Sequence, residues 1–126
     1  MPDANRKIVF LIDDNEWDLS IAEDMLKERY EVYTEKSGRS ALERLSHGLV
    51  PHVILMDIKM PGMDGWELYR KIREIEELKK VPVAFFNSIN EKIDVVHAHE
   101  TGAAEFIMKP FEKEDILKKV RALLKK

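Results

Sequence analysis

Five short apolar runs recur along the chain, and after each one apolar residues return at helical spacing. The runs are Lys7–Ile12, Tyr30–Thr34, His52–Met56, Val81–Phe86 and Glu105–Met108. After the first, Leu19, Ala22 and Leu26 form a stripe, with Ile21 and Met25 beside it. Ala41, Leu42 and Leu45 form a second stripe, and Leu68, Tyr69, Ile72 and Ile75 a third. The stretch Asn90–Glu100 gives the weakest, resting on Ile93 and Val96. The last is the cleanest, with Ile116, Leu117, Val120, Leu123 and Leu124 on one face. Alternating strand and helix signals of this kind predict a parallel sheet covered by helices on both faces.

The runs also report where each strand lies. Ile8–Ile12, Val53–Met56 and Val83–Phe86 are apolar without alternation, as strands covered on both faces are. The residues from Tyr30 to Glu35 mix polar and apolar positions, and the fifth run is short; both features suit sheet edges. With the first, third and fourth strands inside, the expected order is 2-1-3-4-5, the flavodoxin-like doubly wound arrangement. The predicted architecture is therefore an α/β three-layer sandwich of five strand–helix units. Residues 1–126 read as one domain, with no linker, repeat or low-complexity segment.

Composition narrows the chemistry. There are no cysteines, which excludes disulfides, thiolate metal sites and cysteine nucleophiles. Hydrophobic residues make up 44% of the chain, which sets it apart from disordered sequences despite 36% charged residues. No apolar run approaches the ~20 residues that span a bilayer, and the first five residues lack an apolar signal region. A cytoplasmic protein without membrane insertion is expected. The net charge of −3 argues against direct nucleic-acid binding by bulk charge.

In a doubly wound sheet, ligands bind beyond the carboxyl ends of the strands, at the point where the strand order reverses. The residues following each run are therefore the candidates. The first is followed by Asp13-Asp14, the third by Asp57, the fourth by Asn87-Ser88 and the fifth by Lys109-Pro110. Three carboxylates would converge between neighbouring strands, with a lysine arriving from the sheet edge. Three acids so close repel one another, and a hard divalent cation such as Mg²⁺ relieves that repulsion. Taken singly, each acid reads equally well as a solvated loop residue or a helix cap.

Asp13-Asp14, Asp57 with Met60-Pro61-Gly62-Met63-Asp64-Gly65, and Lys109-Pro110-Phe111 together resemble the receiver domain of two-component response regulators, chemotaxis receivers among them. The resemblance runs from Lys7 to Leu124. It implies that Asp57 accepts a phosphoryl group from the phosphohistidine of a sensor histidine kinase or a histidine phosphotransfer domain. It implies Mg²⁺ held directly by Asp14, Asp57 and the main-chain carbonyl of Lys59, with Asp13 acting through water. Lys109 would pair with phosphoryl oxygens, and the Lys109–Pro110 bond would be cis. The signal would pass to a downstream protein through the face formed by strand 4, the helix after it, strand 5 and the last helix. No outside substrate is expected, because such a domain catalyses only its own phosphorylation and dephosphorylation. Gly62 and Gly65 read as turn residues of a loop entering a helix.

One position departs from the family pattern. Asn87 stands where a switching threonine or serine belongs, and Ser88 occupies the small position after it. A one-residue shift would bring Ser88 into the role, but adjacent strand side chains point to opposite faces. Phe106 keeps an aromatic ring at the other switch position. Asn87 therefore keeps a second reading open, a pseudo-receiver that binds partners without switching on phosphate. A phosphohydrolase with an aspartyl nucleophile commonly has an acid two residues after it, where this chain has Lys59. A flavin phosphate would be repelled by Asp13-Asp14. His97 and His99, two residues apart, do not share a helix face. Lys118, Lys119, Arg121, Lys125 and Lys126 read as a solvated face on the last helix.

Overall fold

Three helices begin where a polar side chain takes up free backbone N–H groups. Asn15 accepts from the N–H groups of Trp17 and Asp18 and starts α1 (Glu16–Leu26). Ser37 accepts from Ser40 at the start of α2 (Gly38–Ser46), and Asp64 from Glu67 at the start of α3 (Gly65–Arg73). The fourth described helix, α4 (Lys113–Leu124), follows Glu112 without a side-chain cap, and Glu114 and Asp115 lie in its first turn. A short 3₁₀ turn, Glu76–Leu78, follows α3. The computed structural model describes residues 6–88 and 105–125. The helix expected over Asn90–Glu100, with His97 and His99, lies outside the described residues.

Five parallel strands form one sheet: β1 (Ile8–Ile12), β2 (Glu31–Glu35), β3 (Val53–Asp57), β4 (Val83–Ser88) and β5 (Glu105–Lys109). Their order is β2-β1-β3-β4-β5, as the hydrophobic pattern predicts. Residues 9–12 of β1 and 53–56 of β3 are wholly buried, whereas every residue of β2 is partly exposed. Edge and centre are thus written in the burial of the strands.

The sheet separates two apolar layers. On one face Phe10, Ile12, Ile54, Met56, Val83 and Phe85 meet Ala41 and Leu45 of α2 and Trp66, Leu68 and Ile72 of α3. On the other, Val9, Leu11, Val53, Leu55, Ala84 and Phe86 meet Leu19, Ala22 and Leu26 of α1 and the α4 stripe. At roughly 1.5–3 kcal/mol for each large side chain buried, these layers dominate the stability of the fold. Among the described residues, no helix is long and apolar enough to cross a membrane.

Asp57, Asn87, Ser88 and Lys109 lie at the carboxyl ends of their strands, as expected, with the ladders running through Asp57↔Phe86 and Ser88↔Lys109. Other details differ from the pattern. Ile21, beside the α1 stripe, is exposed. Gly62 has the positive φ (+78°) expected of a turn, but Gly65 does not; it opens α3 against the backbone of β3. Lys119 leaves the solvated face of α4. Its ammonium donates to the carbonyl of Phe106 at 3.0 Å and pairs with Asp115 at 3.4 Å.

Candidate functional site

Each site residue owes its place to local packing beneath it. Asp13 follows β1, and its N–H donates to the carbonyl of Glu35 at 3.1 Å, which ties the end of β1 to that of β2. Its Oδ1 accepts the N–H of Asn15 at 3.0 Å, so the residue that caps α1 also orients the acid. Asp57 Oδ1 accepts the N–H of Ile58 at 3.0 Å. Directly behind Asp57, Gly65 N–H donates to the carbonyl of Ile58 at 2.7 Å. A Cβ on Gly65 would run into the Asp57 carbonyl oxygen and lie 2.9 Å from Ile58 Cα. Only glycine lets α3 approach this closely.

The carboxylates of Asp13, Asp14 and Asp57 converge, with one oxygen from each lying within 4.8 Å of the others. Asp13 is fully buried, Asp57 half-buried and Asp14 exposed, so the cluster opens to solvent on the Asp14 side. Lys109 reaches in from β5. Its Nζ lies 2.6 Å from Asp13 Oδ2, 2.9 Å from Asp18 Oδ2 and 3.6 Å from Asp57 Oδ2. The Phe86 ring lies 5.8 Å from the ammonium and packs edge-on against Phe111 at 4.7 Å, giving the lysine an apolar wall. The Lys109–Pro110 bond is cis.

This crowding shifts the acids and the lysine. Burial, reinforced by the charge of Asp13, pushes the Asp57 carboxyl up to about 7 against the pull of Lys109 and of the Ile58 N–H. Burial also raises Asp13, opposed by Lys109 and the Asn15 N–H. For Lys109, burial disfavours the charge, but hydrogen bonds to Asp13 and Asp18 outweigh it and hold the ammonium above the ordinary lysine range. An acid held partly protonated and a buried neighbouring acid form a site short of positive charge. Three hard oxygen donors within 4.8 Å of one another fit a small divalent cation.

The other predicted residues divide by face. Asn87 is buried; it lies opposite Met108 in the ladder and on the same face as Phe85, whose ring is 6.0 Å from Phe106. Phe85 also meets Trp66 at 4.6 Å and Tyr69 at 5.9 Å, so an aromatic chain runs from β5 to α3. Ser88 lies opposite Lys109 on the other face. Lys59 is exposed in the loop after β3. Two contributors escape the sequence pattern. Asp18 reads as an ordinary acid in the first turn of α1, and Trp66 falls outside the α3 stripe although it lies at i, i+3 to Tyr69.

A match to a family described as the response regulator receiver domain covers residues 9–121. The chain is 37% identical over 111 residues to the two-component response regulator ORR6 of Oryza sativa subsp. japonica, covering 86% of this chain and 65% of that protein. It is 33% identical over 116 residues to the response regulator PleD of Caulobacter vibrioides, covering 91% of this chain but 25% of the relative. The chain thus spans less than two-thirds of either relative's length. Among solved structures it is similar to the chemotaxis protein CheY4 of Vibrio cholerae, with TM-score 0.86, 26% identity and coverage of 94% and 98% of the two chains.

Proposed function

The chain belongs to the response regulator receiver family, and from that premise we propose that Asp57 accepts a phosphoryl group from the phosphohistidine of a sensor histidine kinase or a histidine phosphotransfer domain. One observation carries this reading. Three carboxylates from the ends of β1 and β3 share a 4.8 Å cluster with a lysine from β5 beside it. In the transfer, an Asp57 oxygen bonds to phosphorus as the phosphorus–nitrogen bond of the donor breaks. The imidazole leaves with that electron pair. Lys109 supplies a compact positive charge to the phosphoryl oxygens as they arrive. The residues that would hold Mg²⁺ are Asp13, Asp14 and Asp57, with the main-chain carbonyl of Lys59. When bound, the cation offsets the repulsion between an anionic donor and an anionic nucleophile.

Residues 1–126 act as one receiver domain in this reading, working in the cytoplasm without an outside substrate. The signal leaves through β4, β5 and α4 toward a downstream protein, with Asn87 and Phe106 as the switching pair. Incubation with acetyl phosphate and Mg²⁺, followed by intact mass and peptide mapping, tests the chemistry. Wild type should gain one phosphoryl group on Asp57, and Asp57→Ala should gain none. A full adduct on the alanine variant would overturn the assignment.

A further inference from the structure

Lys109 has two close partners, and one of them lies outside the acidic cluster. Its Nζ is 2.6 Å from Asp13 and 2.9 Å from Asp18, yet 3.6 Å from Asp57, the acid it must serve. Asp18 comes from the first turn of α1, where Asn15 accepts its N–H at 3.2 Å and so fixes the backbone that carries the carboxylate. The Asp13–Asp14–Asp57 group that could hold a cation does not include it. Asp18 thus adds a fourth carboxyl group to the pocket, and its charge bears unfavourably on Asp13.

We propose that Asp18 is a positioning residue that parks the Lys109 ammonium away from Asp57 and so acts as a brake on phosphoryl acceptance. The inference rests on the reading of Asp57 as the acceptor. With acetyl phosphate, an Asp57 oxygen bonds to phosphorus, the phosphorus–oxygen bond to the acetyl group breaks, and acetate leaves with the electron pair. The incoming phosphoryl oxygens need the lysine charge that Asp18 and Asp13 share in the resting protein. A carboxylate on Asp18 also opposes the approach of an anionic donor. Replacing it by an amide keeps an acceptor near the same place and removes the charge.

The test compares wild type with Asp18→Asn, Asp18→Glu and Glu16→Gln. Glu16 is a second acid in the same helical turn, paired with Lys36 instead of Lys109, and so controls for helix-end charge. Two readouts are taken. One is the rate of Asp57 phosphorylation against acetyl phosphate concentration with Mg²⁺. The other is the rate at which an amine-acylating reagent labels Lys109 without metal, followed by peptide mass. Asp18→Asn should phosphorylate about threefold faster or more, with a lower half-saturation for the donor, the scale of losing one partly exposed ion pair. Its Lys109 should label faster by a similar factor. Asp18→Glu and Glu16→Gln should both follow wild type. Unchanged labelling in Asp18→Asn, or phosphorylation no faster than wild type, overturns the inference. A wild type that takes no phosphoryl group overturns the proposed function and the brake with it, whereas faster labelling would still establish the Asp18–Lys109 pair. Thermal melts check that each variant is folded.

Discussion

Asn87 and Met108 stand opposite each other near the end of the β4–β5 ladder, with the Asn87 amide nitrogen 3.8 Å from the Met108 sulfur. A thioether is a weak acceptor, so this buried amide has a poor partner in the resting protein. A phosphoryl group on Asp57 would offer it a far stronger one.

The first prediction concerns that exchange. A hydrogen bond to a charged group contributes roughly 1.5–3 kcal/mol, about one to two decades in a two-state ratio. Asparagine is longer than threonine, so with a phosphoryl group on Asp57 it would reach that group without drawing β4 inward. With beryllofluoride as phosphoryl mimic, amide shifts in β4 and β5 should move further in Asn87→Thr than in wild type. Equal movement would make Asn87 a competent switch and remove the motive for a pseudo-receiver.

Asp57 sets a pH dependence in the metal-free protein. Its carboxyl is raised to about 7 by burial and by Asp13, above the ~3.9 of an unfolded chain. Between those values the folded state keeps a proton that the unfolded state has released, so this group lowers stability as pH rises, fully so above about 7. Asp57→Asn should therefore melt several degrees above wild type at pH 8 and draw level with it near pH 4. Added Mg²⁺ should raise the melting temperature of wild type much more than that of the variant. Thermal scans of the two proteins at both pH values check this.

His52 works in the opposite sense at the other end of the sheet. Its Nδ1 accepts the Ile8 N–H at 2.9 Å, and its own N–H donates to the Ile8 carbonyl at 2.9 Å, one step beyond the Val9↔Val53 pair. Burial, helped by the Lys7 charge, lowers its pKa. The unfolded chain then protonates first, so the contribution is complete above about 6.5 and is lost as pH falls below that. An exposed group gives a small effect, well under 1 kcal/mol. In an Asp57→Asn background, which removes the opposing trend, His52→Ala should flatten the loss of urea stability between pH 7.5 and 5.

Gly65 and Gly62 should respond differently to alanine. A Cβ on Gly65 meets the Asp57–Ile58 backbone, and relieving that overlap costs about 1–3 kcal/mol while displacing Asp57. A Cβ on Gly62 meets open space, but its positive φ costs about 1–2 kcal/mol. Gly65→Ala should lose both stability and phosphorylation rate, and Gly62→Ala stability alone. Denaturant midpoints and acetyl phosphate kinetics separate the two.

The strand order was legible because uninterrupted apolar runs mark strands covered on both faces, and Val9–Ile12 and Val53–Met56 are such runs. Asp13, Asp14, Asp57 and Lys109 could be read because the carboxyl ends of parallel strands collect at one edge. Asp18 could not, since an acid in a first helical turn already has a reason to be there, and only the packing of α1 brings it to Lys109. Gly65 looked like a turn residue because sequence does not distinguish a glycine needed for its φ from one needed for lack of a side chain. Lys119 was hidden likewise, because a lysine on a basic helix reads as solvated and only the fold brings its ammonium to the Phe106 carbonyl.

The two tryptophans divide an optical signal between them. Trp17 is 80% exposed on α1, whereas Trp66 is 5% exposed. A collisional quencher dissolved in the buffer extinguishes Trp17 first, and the emission that survives belongs to Trp66. That indole packs against Phe85, which also neighbours Phe106, so its brightness should respond to rearrangement of the rings between β5 and α3. With iodide present and no label attached, the fluorescence of the native chain becomes a stopped-flow gauge of what happens at the far end of that aromatic line.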